Sequence, residues 1–245
     1  MDNRVYEKTF SVTWQDLGMN GHLTMKAFAN FMQEVAWQHA EVLGFGFDYM
    51  AQHQAVWVLV GVKAVFYRQP QWRDDVTLKT WHKGYRGVVS SRDYILCNAQ
   101  GEVIAEAASE WVLINHDTRR IVRPNILDPF VHTQLQKDAL VWEPITQPET
   151  PVMESCYEVA YSDMDYNGHT NNSRYFEWVS NVFEPLNTKG KAVKKVEIKY
   201  QSECFMGDVI TLVYSLSDDS FHIHGVRKSD DKSIFSVMLQ LTDNL

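Results

Sequence analysis

The organisation of this chain follows from one short polar stretch, Asp163-Met164-Asp165-Tyr166-Asn167-Gly168-His169-Thr170-Asn171-Asn172-Ser173-Arg174-Tyr175. It concentrates Asp, Asn and His side chains just before an apolar pattern that predicts an amphipathic helix over 172–183. Backbone N–H groups at the start of a helix attract anions and developing negative charge. The stretch therefore indicates a binding or catalytic site where a loop enters a helix, rather than a turn that only caps one.

An altered copy of this stretch occurs earlier, because both copies contain Asn-Gly-His, which ends at His22 in the first and at His169 in the second. A second match pairs Asp75-Val76 with Asp208-Val209. Two matches in the same order indicate an internal duplication. Each copy reads as a strand, the polar turn, one long helix and several alternating strands. This order predicts an α+β fold of two tandem hotdog domains, each a long helix wrapped by an antiparallel β-sheet.

The proline distribution separates the two copies. Five of the seven prolines fall between residues 119 and 152, where their spacing prevents long helices and central strands. We therefore expect an N-terminal domain over 1–118, a linker over 119–152 and a C-terminal domain over 153–245.

Composition narrows the class of protein. The chain is 45% hydrophobic and 22% charged, as in ordinary globular proteins, and no apolar run is long enough to span a bilayer. The N-terminus shows no signal or transit character and the three cysteines form no C-x-x-C pair, so we expect a cytoplasmic protein. A net charge of −8 disfavours nucleic acid as a partner. Because no Gly-rich phosphate loop, nucleophile elbow or zinc-ligand spacing occurs, we expect no cofactor and no metal.

Comparison of the two copies shows which chemical groups belong to the second copy alone. Aligned on Asn-Gly-His, the differing positions are Asp165 with Gly18, Asn171 with Thr24, and Asn172 with Met25. Aligned on the downstream match, they are Glu203 with Pro70 and Cys204 with Gln71. We therefore expect the second copy to carry the chemistry and the first to form a wall of the substrate pocket.

The grouped residues suit acid–base chemistry. Asp165, Asn167 and His169 occupy alternate positions, which share one side of an extended turn, and a carboxylate there can orient an imidazole or an amide. Glu203 and Cys204 follow a predicted strand and are expected to close over the site. Cys204 beside His169 permits a thiolate nucleophile, whereas Glu203 permits a carboxylate that activates water. The residues alone leave both routes open.

Four segments also carry a family resemblance. Residues 165–175 are similar to the signature D-x-N-x-H-x-N-N-x-x-Y, and Tyr200-Gln201-Ser202-Glu203-Cys204 is similar to the Glu-Cys element that follows it. Residues 111–120 resemble the segment that ends the first domain in the same family. Residues 70–74 resemble its P-x-W-x-D turn, with Arg73 where Gly is usual. The family is that of the acyl-acyl carrier protein thioesterases, of plant Fat type and with bacterial relatives.

The resemblance implies hydrolysis of fatty acyl thioesters on acyl carrier protein. The catalytic network that it implies is Asp165, Asn167, His169 and Glu203, with Cys204 adjacent. The family admits both routes described above, and we favour water activated by a carboxylate with His169. Backbone amides near Asn171 and Asn172, at the helix start, are expected to position the substrate and hold the tetrahedral oxyanion.

Partners are expected to be few. Acyl carrier protein is acidic and would be repelled by the net charge unless basic residues gather locally. They gather at Lys189, Lys191, Lys194 and Lys195, which we expect to bind the carrier. Neither nucleic acid nor membrane is expected as a partner, and a homodimer of the tandem chain stays open. The competing functions are an acyl-CoA thioesterase, a hotdog dehydratase and a non-catalytic acyl-thioester-binding protein.

Overall fold

The computed structural model describes residues 4–130, 140, 153–166, 168–187, 190–216 and 220–243. The first repeat contains β1 (Tyr6–Ser11), α1 (Met25–Leu43), α2 (Phe47–Gln52), β2 (Ala55–Phe66), β3 (Asp75–Arg86), β4 (Val89–Cys97), β5 (Val103–Asn115) and β6 (Ile121–Val122). The second repeat contains β7 (Met153–Glu158), α3 (Asn172–Leu186), β8 (Ala192–Tyr200), β9 (Val209–Leu216), β10 (Ser220–Arg227) and β11 (Lys232–Thr242). Each predicted helix and strand has its counterpart, and the short helix α2 is additional.

Among the described residues, the strands form one 11-stranded sheet in the order β1-β3-β4-β5-β2-β8-β11-β10-β9-β7, with β6 paired to β5. The order is palindromic, because each repeat contributes five equivalent strands and the two halves meet at β2 and β8. These two strands pair antiparallel, with Val62 opposite Ile198 and Ala64 opposite Val196. The prediction of an α+β fold with two tandem hotdog domains is confirmed.

A charged pair of positions lies at the centre of this junction. Lys63 faces Glu197 in the ladder, and both residues are completely buried. The ladder therefore places two opposite charges on the axis that relates the two repeats.

The long helices form because their apolar residues recur at helical spacing. In α1 the buried face includes Phe28, Met32 and Val35, and the Thr24 side chain caps the helix by accepting the Ala27 N–H. In α3 the buried residues include Phe176, Val179 and Phe183.

A glycine at the end of α1 and one contact between the repeats fix the helices in place. Gly44 ends α1 with a φ of 91°, a left-handed conformation that favours glycine. Lys26 of α1 donates to the Glu177 carboxylate of α3 at 3.0 Å, which joins the two helices directly. Within the described part of the chain, no helix has the length and apolar character needed to cross a membrane.

The predicted linker begins as part of the first repeat. β6 pairs with β5, and Leu127 is completely buried beside Phe45 and Leu113. Residues 131–139 and 141–152 lie outside the described residues.

Candidate active site

The polar stretch folds into a tight turn that presents His169 just before α3. The Asp165 N–H donates to the His169 carbonyl at 2.8 Å, and the Gly168 N–H donates to the Asp165 carbonyl at 3.1 Å. Gly168 has a φ of 75°, which glycine adopts without steric cost. The first copy repeats this turn, since the Gly18 N–H donates to the His22 carbonyl at 2.9 Å. The pairing of His22 with His169 is confirmed, and Asp165 stands where the first copy has glycine.

The downstream loops also match, because an Asp carboxylate closes each of them. Asp74 Oδ2 accepts the Gln71 N–H at 2.9 Å, and Asp208 Oδ2 accepts the Phe205 N–H at 3.0 Å. Asp208 is therefore the counterpart of Asp74. The sequence alignment matched Asp208 with Asp75 instead.

This pairing corrects two predicted alignments. In the corrected alignment, Glu203 is equivalent to Gln69 rather than Pro70, and Cys204 is equivalent to Pro70 rather than Gln71. The error arose because the dipeptide Asp75-Val76 matches Asp208-Val209 in sequence, whereas the hydrogen bonds place Asp208 with the preceding aspartate, Asp74. The first copy still lacks both the Glu and the Cys, so the conclusion about where the chemistry lies is unchanged.

His169 and Glu203 meet across the two loops. His169 Nε2 lies 3.7 Å from Glu203 Oε2, and both side chains are partly exposed, by 23% and 36%. The Phe205 ring lies 5.3 Å from the imidazole, centroid to centroid, and covers one side of it. The separation exceeds a direct hydrogen bond and is short enough for one to form when substrate or water enters, as unliganded catalytic sites commonly show.

The main chain of Cys204 ties these loops together. Its carbonyl accepts the Thr170 N–H at 3.2 Å and the Thr170 hydroxyl at 3.0 Å. Because Thr170 follows His169 and Cys204 follows Glu203, these two bonds set the distance between imidazole and carboxylate.

The sulfur of Cys204 points into the core. Cys204 is completely buried, and its Sγ lies 3.1 Å from the Tyr175 hydroxyl and 3.3 Å from Thr170 Oγ1. Burial raises the pKa of the Cys204 thiol above its ordinary value, in spite of both hydrogen bonds. Burial also raises the pKa of Tyr175, which keeps that hydroxyl protonated beside the sulfur. The thiol is therefore a packed, hydrogen-bonded group rather than an exposed thiolate.

Arg119 of the first repeat also reaches this site. Its guanidinium donates to Glu203 Oε1, leaving Oε2 toward His169. Arg119 lies in the segment 111–120 that carries part of the family resemblance, and no role was predicted for it. The available signal was the pair Arg119-Arg120, although nothing local to that pair indicates a partner 84 residues away.

The two asparagines at the start of α3 have defined structural contacts. The Asn171 side chain caps α3 by accepting the Ser173 N–H at 2.9 Å and the Ser173 hydroxyl at 2.9 Å. The carbonyl of Asn172 accepts the Tyr200 hydroxyl at 2.9 Å, which fixes the helix start against β8. These contacts place the first turn of α3 beside the turn that carries His169.

Asp165 stabilises the turn that carries His169. Its Oδ1 accepts the His169 backbone N–H at 3.4 Å, so the carboxylate lies inside the loop that presents the imidazole. Asn167 lies outside the described residues, and its predicted place beside Asp165 and His169 stays a prediction.

Three of the four predicted carrier-binding lysines fall within the described residues, near the start of β8. Lys191 comes just before β8 and is buried, with its Nζ 4.0 Å from the Asp243 carboxylate, whereas Lys194 is exposed. Lys195 pairs within the sheet, and Lys189 lies outside the described residues. β8 runs from this end to Tyr200, about 30 Å at the usual rise per residue. Lys191, Lys194 and Lys195 therefore lie away from Glu203, and the expectation that the lysine group binds the carrier stays a prediction.

The described residues contain no group of three or more His, Cys, Asp or Glu side chains placed to hold a metal ion. The site is instead built from one imidazole, one carboxylate, one guanidinium and the start of a helix. It suits proton transfer and the stabilisation of negative charge.

The fold and this asymmetric site define a tandem hotdog protein with one imidazole–carboxylate centre. Residues 3–132 match the family model of the acyl-ACP thioesterase N-terminal domain, and residues 146–243 match that of the C-terminal domain. The chain belongs to the acyl-ACP thioesterase family.

Named relatives agree with this membership. The chain is 27% identical over 279 residues to oleoyl-acyl carrier protein thioesterase 2 of Arabidopsis thaliana, a chloroplastic protein, covering 99% of this chain and 74% of that one. It is 28% identical over 227 residues to the palmitoyl-acyl carrier protein thioesterase of the same plant, covering 85% of this chain and 54% of that one.

Solved structures share the fold over nearly the whole chain. An acyl-ACP thioesterase from Bacteroides thetaiotaomicron superposes with a TM-score of 0.87 at 23% identity, covering 98% of this chain and 99% of that one. A 12:0-ACP thioesterase from Umbellularia californica superposes with a TM-score of 0.85 at 21% identity, covering 97% of each chain.

Proposed function

We propose that this chain hydrolyses fatty acyl thioesters on acyl carrier protein, releasing a free fatty acid and so ending chain elongation. Family membership supports the reaction class, and the relatives above are named for carrier-protein thioesters. The observation that carries the assignment of the site is the approach of His169 Nε2 to Glu203 Oε2, at 3.7 Å beside the start of α3.

In the reaction, a water molecule between His169 and Glu203 attacks the thioester carbonyl carbon. The new C–O bond forms as the imidazole–carboxylate pair takes a proton from the water. The carbonyl oxygen becomes an oxyanion, which backbone N–H groups in the first turn of α3, near Asn171 and Asn172, stabilise. The C–S bond then breaks, and His169 returns a proton to the leaving thiolate of the carrier.

Asp165 and Asn167 complete the catalytic network in this proposal. The Asp165 carboxylate, through its contact with the His169 backbone N–H, keeps the imidazole turned toward Glu203. Asn167 is assigned by its place in the family signature, between these two residues.

Water activation is preferred over a covalent route because of the Cys204 environment. A thiol that is fully buried, with a raised pKa, supplies little thiolate at neutral pH and presents its sulfur to Tyr175. We assign Cys204 to holding the two loops at the correct separation.

The choice of carrier separates this function from the nearest alternative, an acyl-CoA thioesterase. Fatty acid release is to be measured with one acyl chain presented on acyl carrier protein and on CoA, at matched concentrations. We expect a higher kcat/KM with the carrier protein. Equal or higher kcat/KM with CoA refutes the carrier assignment, and no release from either substrate refutes hydrolysis, leaving a dehydratase or an acyl-thioester-binding protein.

Paired variants test the site itself. Glu203→Gln keeps the shape of the side chain and removes its basicity, so kcat is expected to fall about a hundredfold to ten-thousandfold. His22→Ala alters the equivalent histidine of the first repeat and serves as the matched control, with kcat expected near that of the parent chain. A Glu203→Gln protein that is folded and fully active places the general base elsewhere.

A further inference from the structure

The Glu203 carboxylate contacts one side chain from each repeat. Its Oε1 accepts a hydrogen bond from the Arg119 guanidinium, and its Oε2 faces His169 Nε2. A carboxylate held at one oxygen has its other oxygen directed by the geometry of the first contact. The orientation of Glu203 toward His169 is therefore set by a side chain from the other repeat.

Arg119 is presented by a turn that is held by hydrogen bonds of its own, independent of Glu203. Asn115 Oδ1 accepts the N–H groups of Asp117 and Thr118 at 3.1 and 2.8 Å, and the Thr118 hydroxyl at 2.9 Å. The Arg119 N–H donates to the Asn115 carbonyl at 3.0 Å. Arg119 itself has a φ of 57°, which residues other than glycine seldom adopt unless their surroundings determine it. The hydrogen-bonded turn therefore holds the exposed Arg119 in a defined position.

The backbone of Glu203 has separate support within its own repeat. Arg227 Nη1 donates to the Glu203 carbonyl at 3.4 Å and pairs with the Asp208 carboxylate at 3.1 Å. Arg227 therefore fixes the backbone position, and Arg119 fixes only the direction of the side chain.

The ion pair between Arg119 and Glu203 is expected to contribute little to the stability of the fold. The Arg119 and Glu203 side chains are 35% and 36% exposed, and ion pairs that remain hydrated contribute little to folding. Arg119 therefore adopts an uncommon backbone conformation to form an ion pair that adds little stability. Orientation of the Glu203 side chain explains this contact better than stability does.

We infer that Arg119 is a positioning residue for hydrolysis, which makes the catalytic site of the second repeat depend on a side chain of the first. The inference rests on the proposed function, because it assumes that Glu203 acts on water with His169. The corrected alignment agrees with it, since the first-repeat counterpart of Glu203 is the neutral Gln69, which has no charge to pair with a guanidinium.

The test compares Arg119→Ala, Arg119→Lys and the neighbouring exposed control Arg120→Ala, with steady-state kinetics on one acyl-carrier substrate. We expect Arg119→Ala to lower kcat about a hundredfold, because a misplacement of about 1 Å has that effect, with KM changed less than about threefold. Arg119→Lys is expected to be intermediate, since an ammonium supplies charge without the planar fork. Arg120→Ala is expected to match the parent chain.

Chemical rescue separates positioning from a structural role. Guanidinium ion at low millimolar concentration is expected to raise kcat of Arg119→Ala several-fold and to leave Arg120→Ala unchanged, while the thermal unfolding midpoints of all variants stay alike. Arg119→Ala with parental kcat, or with an altered KM alone, overturns the inference, as does a slow variant that guanidinium fails to rescue.

The two proposals fail in different ways. If Glu203→Gln is inactive and Arg119→Ala is fully active, the proposed function stands and the positioning role falls. If Glu203→Gln retains parental kcat, the assignment of the general base falls first, and the role of Arg119 falls with it.

Discussion

Replacement of Cys204 by alanine is the variant that best separates the two routes to hydrolysis. The side chain is completely buried, and its sulfur has two hydroxyl neighbours, Tyr175 and Thr170. Removing one buried sulfur leaves a small cavity and takes a partner from each hydroxyl. We expect the free energy of unfolding to fall by about 2 kcal/mol, measured by urea denaturation.

The expected effect on the rate is much smaller than the loss of a catalytic group. An ordinary cysteine is about 3% thiolate at pH 7, and burial lowers that fraction for Cys204. If Cys204 only supports the loops, kcat of Cys204→Ala stays within about tenfold of the parent chain, because the loss acts through geometry alone. Glu203→Gln, measured beside it, is expected to fall by at least about a hundredfold.

The assay is free fatty acid release under single-turnover conditions, with Cys97→Ala as the matched buried-cysteine control. Two results refute the reasoning. One is a folded Cys204→Ala protein whose rate falls as far as that of Glu203→Gln. The other is a covalent acyl-enzyme trapped on the parent chain by acid quench and absent from Cys204→Ala.

Two further predictions concern the first repeat and the carrier. His82 accepts the Gly84 N–H at Nδ1, and burial lowers its pKa to about 3, whereas the unfolded chain takes up this proton near pH 6.5. Stability from His82 is therefore present above pH 6.5 and lost as the pH falls, by about 1.6 kcal/mol between pH 6.5 and 5. The unfolding free energy of His82→Gln, measured by urea denaturation, should therefore fall less steeply between pH 6.5 and 5 than that of the parent chain. An equal dependence on pH in the two proteins contradicts this prediction. Separately, Lys194→Glu, which reverses an exposed charge of the predicted carrier-binding group, should raise KM for the carrier substrate; an unchanged KM contradicts that prediction.

Features fixed by local backbone geometry were predictable from the sequence. The turn that carries His169 and the start of α3 were identified because their residues act on neighbours within a few positions. The second alignment was wrong by one position, because Asp75-Val76 matches Asp208-Val209 in sequence although Asp74 is the aspartate that closes the loop.

Features that depend on distant contacts were not predictable. Arg119 reaches Glu203 from 84 residues away, through a sheet that joins two repeats, and no local pattern encodes that approach. The described lysines of the predicted carrier-binding group lie away from Glu203, and their role toward the carrier stays a prediction. Lys191 and Lys194 are near α3 in sequence, but they follow its C-terminal end, whereas the site lies at its N-terminal end.

The junction of the repeats shows why one fused chain can hold a one-sided site. Lys63 and Glu197 are equivalent positions in the corrected alignment, and they face each other, buried, between β2 and β8. In a dimer of identical repeats an axial residue meets its own copy, so a buried lysine there would face a second lysine. Like charges without water between them are strongly unfavourable, whereas lysine opposite glutamate is compatible with burial.

Fusion of the repeats into one chain allowed the two axial positions to carry different residues. For the same reason one repeat can carry Glu203 while the other carries Gln69. Lys63→Glu should therefore destabilise the chain far more than the exchanged pair Lys63→Glu with Glu197→Lys, and equal losses in urea denaturation would contradict this account of the junction.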